Sequence, residues 1–135
     1  SYFATSANST IIISRSKEGR KYADKINVKW GNCGQINDII DTIDVVVNCT
    51  SVGFGDQEMQ SPLSEKKIEN LKKSTIVFDI IYQPLKTKLL EIADNYDIST
   101  LNGLEMNLEQ AVLAYQYAVK SNKNLDKIRK IMSQI

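Results

Sequence analysis

A doubly wound α/β fold with a mainly parallel sheet is predicted by three features of the sequence. Short apolar runs dominated by β-branched residues recur along the chain: Ile11-Ile12-Ile13, Val45-Val46-Val47 and Ile76-Val77-Phe78. Longer segments of helical periodicity separate them, and strand–helix alternation implies crossover connections between parallel strands. Unbroken apolar runs, as opposed to alternating ones, fit strands covered on both faces. Finally, 135 residues of which 42% are hydrophobic are the material of one domain with a real core.

The elements follow in order. Residues 10–14 form the first strand. Residues 17–26 form a helix of modest amphipathicity, and 27–30 a weak strand. In 35–43, Ile36, Ile39, Ile40 and Ile43 fall at helical spacing and predict a helix. Residues 44–48 are the next strong strand. Ser64 stands as a helix N-cap ahead of Ile68 and Leu71. Strand 75–79 precedes a helix over 85–96 carrying Leu85, Leu89, Leu90, Ile92 and Ala93, with Pro84 at its first turn. A weaker strand at 98–101 leads into a long helix, 103–121, with Leu104, Leu108, Ala111, Val112, Tyr115 and Val119. A last helix at 125–135 carries Ile128, Ile131 and Met132.

Composition excludes several classes of function. Net charge is +1, from 17 Lys+Arg against 16 Asp+Glu, so no overall field attracts nucleic acid or an anionic membrane surface. No apolar run approaches the ~18–20 residues of a membrane helix, and no basic-then-apolar leader is present. Cys33 and Cys49 cannot form a disulfide framework or a four-cysteine metal site, which points to a reducing, cytoplasmic compartment. There is no histidine, so Ser-His, Cys-His and His-metal arrangements are excluded. An enzyme built on this chain needs other acids and bases, or a cofactor for the hard step.

In a doubly wound fold, ligands bind at the carboxyl ends of the strands. After the first strand stands Ser14-Arg15-Ser16-Lys17, with Arg20 beyond: an arginine between hydroxyls and no acid. That pattern suits the 2′-phosphate of NADP, where an acid would hold the 2′-hydroxyl of NAD. A solvated turn with stray charges accounts for it equally. After 44–48 come Asn48-Cys49-Thr50-Ser51-Val52-Gly53-Phe54-Gly55, whose small residues let backbone approach a ring, or which form a plain flexible loop. Cys49 reads as a packed thiol more readily than as a nucleophile. After 75–79 come Ile80-Ile81-Tyr82-Gln83-Pro84, where Tyr82 offers a hydroxyl or is simply buried. After 98–101, Gly103 opens a helix on which Gln110 lies two turns in, an amide on an apolar face that needs partners if buried.

Taken together, these strand ends resemble the C-terminal half of shikimate dehydrogenase. The family pattern runs Asn-Arg-Thr, then Asn-Ala-Thr-x-x-Gly, then Asp-x-x-Tyr-(Asn/Gln)-Pro-x-x-Thr-x-Leu-Leu, then Gly-x-x-Met-x-x-x-Gln-Ala. Here stand Ser14-Arg15-Ser16, the six residues from Asn48 to Gly53, the twelve from Asp79 to Leu90, and the nine from Gly103 to Ala111, in the same order and spacing. The resemblance implies a Rossmann-like domain that binds NADP. In it Ser14, Arg15 and Ser16, helped by Lys17 or Arg20, hold the 2′-phosphate. Thr50, Val52, Ile80 and Gly103 line the nicotinamide, and Tyr82 and Gln110 bond the hydroxyls of shikimate. Gly19 stands where the family often has a second basic residue.

The resemblance also implies an incomplete domain. The family's first strand and Gly-rich loop precede this region, no Gly-x-Gly-x-x-Gly occurs in the chain, and residues 2–8 read as the tail of the first helix. The catalytic Lys–Asp pair belongs to an N-terminal substrate domain, so no catalytic residue is expected here. The expectation is therefore a fragment, inactive alone, of an enzyme interconverting 3-dehydroshikimate and shikimate in aromatic amino-acid (chorismate) biosynthesis. Neither nucleic acid, membrane nor metal is expected as a partner, and a homodimer is left open. Two alternatives stay in view: a quinate/shikimate dehydrogenase or the dehydrogenase half of a fusion enzyme, and a non-catalytic nucleotide-binding module.

Overall fold

The computed structural model describes residues 7–119 and 124–134. The chain divides into two compact units, Ser1–Thr42 and Ile43–Ile135. In the first, β1 (Ile11–Ile13) and β2 (Lys29–Gly31) pair in parallel with Ile12 opposite Trp30. Helix α1 (Lys17–Lys25) makes the crossover and packs on both strands. It begins where Ser16 can cap it, accepting from Gly19 N at 3.4 Å, and its one fully buried residue is Ala23. Asn27 then takes a φ of 56°, a left-handed turn that asparagine tolerates, and redirects the chain into β2.

Residues 35–43 depart from the predicted helix. They form two short 3₁₀ turns, Gln35–Asp38 and Ile40–Thr42. Of the four isoleucines at helical spacing only Ile36 is buried. The Thr42 amide and hydroxyl both donate to Ile39 O, at 2.8 and 2.7 Å, and close the turn early. A β-branched stretch loses rotamer freedom in a helix, and a single buried residue does not offset that loss.

In the second unit β3 (Val45–Asn48), β4 (Ile76–Asp79) and β5 (Ser99–Leu101) form a parallel sheet in that order. The loop after β3 carries a 3₁₀ turn at Gly55–Gln57 and leads to α2 (Glu65–Glu69). Helix α3 (Lys88–Asn95) packs on β4, β5 and α2. Ile68, Leu71, Val77, Leu89, Leu90, Ile92, Ala93 and Ile98, none more than 8% exposed, make the core. Ser64 precedes α2 with extended backbone, but its side chain makes no capping bond. Helix α3 starts later than predicted because Thr87, not an earlier residue, caps it by accepting from Leu90 N. Pro84, behind a cis bond to Gln83, therefore lies outside the helix and not at its first turn.

Just ahead of helix α4 (Leu104–Val119), Asn102 Oδ1 accepts from Leu104 N at 3.1 Å. The helix packs on α5 (Leu125–Met132). Of the apolar face predicted for it, only Val112 is fully buried, while Leu104, Ala111 and Val119 are exposed.

The Rossmann-like α/β class is as predicted: every strand pairing among the described residues is parallel, and β3, β4 and β5 lie side by side in chain order as in one half of a doubly wound fold. The predicted covering of β1 and β3 on both faces is not found. Ile11 is 36% and Val45 47% exposed, and Ile76, on a strand paired along both edges, is 43% exposed. The helix end predicted at residues 2–8 falls largely outside the described residues. Among them, no helix is long and apolar enough to cross a membrane.

Candidate functional site

The carboxyl ends of β3 and β4 are polar where the strands themselves are not. Asn48 and Asp79, opposite each other in the sheet register, are both buried. The Asp79 carboxylate accepts from Asn48 Nδ2 on both oxygens (3.1 Å each), from Ile81 N (3.1 Å) and from Thr87 Oγ1 (2.8 Å). Its burial is tolerated because hydrogen-bond donors replace water around its oxygens.

From this carboxylate the bonding spreads into the loops. Asn48 Nδ2 also donates to Val52 O at 3.0 Å. Asn48 Oδ1 accepts from the Thr50 amide (3.0 Å) and the Thr50 hydroxyl (2.7 Å), and Thr50 Oγ1 in turn accepts from Val52 N. Ile80 N donates to Asn48 O, and Gly103 N donates to Ile81 O at 3.0 Å. A Cβ on Gly103 would run into the Ile80 carbonyl, so this contact requires glycine. The loops after β3, β4 and β5 are thus tied together, which brings Thr50, Val52, Ile80, Tyr82 and Gly103 to one end of the sheet.

Tyr82 is 45% exposed rather than buried, so its ring lies open to a ligand. Gln110 is exposed on α4, and the burial that would oblige its amide to find a partner does not arise. Cys49 is exposed rather than packed. Partial desolvation of its thiol, with the nearby Asp79 charge added, pushes its pKa upward. An open cleft of about 400 Å³ is lined by Phe54, Gly55, Glu58, Gln83 and Pro84, from the loops after β3 and β4.

At the end of β1, Ser14, Arg15, Ser16, Lys17 and Arg20 form one turn and the start of α1. Arg15, Ser16, Lys17 and Arg20 are exposed and Ser14 is half-buried. The Ser14 hydroxyl accepts from Trp30 Nε1 (2.8 Å) and donates to Ser16 O (3.1 Å). The Arg20 guanidinium lies 5.8 Å from the centre of the Trp30 ring. Sequence reasoning assigned no role to Asn48, Asp79, Thr87 or Trp30. For the first two a signal exists: each is the polar last residue of an otherwise apolar strand.

Parallel strands, crossover helices and polar strand ends place the chain among Rossmann-like α/β domains. No protein-family model matches it. Over 93 residues it is 36% identical to the shikimate dehydrogenase (NADP(+)) of Alkaliphilus oremlandii, covering 69% of this chain and 32% of that protein. The shikimate dehydrogenase (NADP(+)) of Methanocaldococcus jannaschii is 30% identical, over 91% of this chain and 49% of its own length. Among solved structures, shikimate 5-dehydrogenase of Listeria monocytogenes, in complex with shikimate and NAD, is 30% identical with a TM-score of 0.72, covering 90% of this chain and 46% of that one. Quinate dehydrogenase of Corynebacterium glutamicum, in complex with NAD, shares the fold at a TM-score of 0.78 and 24% identity. The chain belongs to the shikimate dehydrogenase family, and it spans between a third and a half of the length of these relatives.

Proposed function

We propose that the chain is the C-terminal, NADP-binding part of a shikimate dehydrogenase, with residues 1–135 as its cofactor domain and 103–135 as that domain's closing helices. The whole enzyme would interconvert 3-dehydroshikimate with NADPH and shikimate with NADP, in the cytoplasm, as a step of aromatic amino-acid biosynthesis. When bound, the nicotinamide supplies the redox chemistry. The chain's own residues bind and orient.

Arg15 carries the reading. It is exposed at the carboxyl end of β1, between two serines, and enters none of the ion pairs found among the described residues. Such a guanidinium fits a phosphate monoester, which it can meet with two parallel bonds. Ser16, accepting from Gly19 N, keeps its hydroxyl proton for an anion, and Lys17 adds charge at the start of α1. Thr50, Val52, Ile80 and Gly103, held by the Asp79–Asn48 bonding, give a backbone wall against which a flat ring can lie. Tyr82 and Gln110, both exposed, are available to substrate hydroxyls; the groups that move protons are expected from the remainder of the enzyme.

The test is kcat/KM with NADP and with NAD in the whole polypeptide that carries this chain, before and after Arg15→Ala. Loss of a charge-assisted bidentate contact of about 1.5–3 kcal/mol should shrink the preference for NADP by about 10- to 150-fold. An unchanged ratio overturns the assignment.

A further inference from the structure

We propose that Trp30 is a positioning residue for the anion-reading turn, and that its indole N–H sets how well the protein distinguishes a 2′-phosphate from a 2′-hydroxyl. The proposal rests on the reading of Arg15 given above and goes beyond it. It turns on a residue sixteen positions away that touches no ligand in that reading.

Three observations meet at the indole nitrogen. The Trp30 Nε1–H donates to Ser14 Oγ at 2.8 Å, and that hydroxyl in turn donates to Ser16 O at 3.1 Å. The residues on both sides of Arg15 are thereby fixed by one relay that starts on β2. The β1–β2 ladder holds the two ends of the relay in register, with Ile12 opposite Trp30 and Ser14 N donating to Gly31 O at 3.2 Å. Because the Ser14 proton is committed to Ser16 O, Ser14 contributes placement to a bound anion and not a bond.

Gly19 supplies the second observation. A Cβ there would run into the Ser14 hydroxyl and lie 2.6 Å from Ser14 Cβ and 3.7 Å from Trp30 Nε1. The Ser14 side chain that accepts the Trp30 bond, its Cβ as well as its hydroxyl, therefore occupies the space a side chain at position 19 would need, with Trp30 Nε1 at ordinary contact distance. A second cation cannot stand at 19 while Ser14 keeps this place. The third observation shows where one stands instead: Arg20, one residue on, with its guanidinium 5.8 Å from the centre of the same indole ring, within reach of a cation–π attraction. One side chain thus braces the backbone around Arg15 and gives Arg20 a platform.

Calorimetric titration of the whole polypeptide with adenosine 2′,5′-bisphosphate and with AMP isolates the effect from turnover. Trp30→Phe keeps a ring under Arg20 and deletes the N–H; Ser14→Ala deletes the acceptor and leaves the indole. Loss of one hydrogen bond predicts binding of the bisphosphate about fivefold weaker in each variant, with AMP affinity held within about twofold. The double variant should lose no more than either single one, since both break the same relay. Equal weakening of the two ligands would make Trp30 a purely structural residue and overturn the proposal. So would additive losses, or unchanged affinity for both ligands in Ser14→Ala, the variant that leaves the indole in place. If Arg15→Ala abolishes the preference for the bisphosphate while Trp30→Phe and Ser14→Ala keep it, only this proposal fails. A wild-type protein with no such preference removes both readings.

Discussion

Asp79 shows how one buried residue can tie several loops together. Its carboxylate is fully buried and is the common acceptor for Asn48 Nδ2, Ile81 N and Thr87 Oγ1. Asp79→Ala would leave those donors without an acceptor in a space closed to water. The expected cost is about 2–4 kcal/mol, the sum of a few unsatisfied buried groups less the relief of a buried charge. Urea denaturation of the whole polypeptide checks this, and a loss under about 1 kcal/mol would mean that water or a rearranged loop replaces the carboxylate. The identity of Asp79 and its place at the end of an apolar strand are plain in the sequence. That Asn48, thirty-one residues earlier, lies beside it is not, because strand register is settled by packing across the sheet.

At the scale of elements, helices α4 and α5, whose buried residues are Val112 and Ile128, also carry a charge contact. Arg129 donates through Nε and Nη2 to the Glu109 carboxylate and through Nη1 to Asp126 at 2.6 Å. The hydrogen bonds from Arg129 hold the Glu109 carboxyl below its ordinary value; slight desolvation opposes this and the Arg129 charge adds to it. A carboxylate whose folded pKa lies under its unfolded one stabilises the fold above the unfolded value and loses that contribution as pH falls through the folded one. Glu109→Gln should therefore lower the urea midpoint at neutral pH. The gap to wild type should close as pH drops below 4.5, the ordinary glutamate value. A gap that persists unchanged to about pH 3 would show that the pair adds nothing through charge. The last helix was legible from the spacing of Ile128, Ile131 and Met132. The 35–43 segment has equally good spacing and is not a helix, because only Ile36 finds a buried place. Periodicity reports that a face exists, and packing decides whether anything covers it.

Across the whole molecule the described strands form two parallel sheets, and β1 and β3 each leave one edge without a partner among the described residues. Half-exposed Ile11 and Val45 sit on those strands. Open apolar edges of parallel strands either pair or associate. Residues 1–135 expressed alone are therefore expected to show a broad thermal transition and weak NADP binding. Calorimetry and a cofactor titration check both, and a sharp transition with micromolar affinity would show that the two sheets stand without further pairing.

The sequence by itself determined the parallel α/β class, the strand centres, the family and the residue types offered at each strand end. Those properties are local: β-branched runs, helical spacing and motif order are written in consecutive residues. Only the tertiary structure decided which bonds hold the loops of Thr50, Val52, Ile80, Tyr82 and Gly103 at one sheet end. It also decided that Asp79 holds their loops together and that Trp30 reaches back to Ser14. Those arrangements depend on which strands pair and in which register, and that is settled by burial and hydrogen-bond satisfaction between residues far apart in the chain.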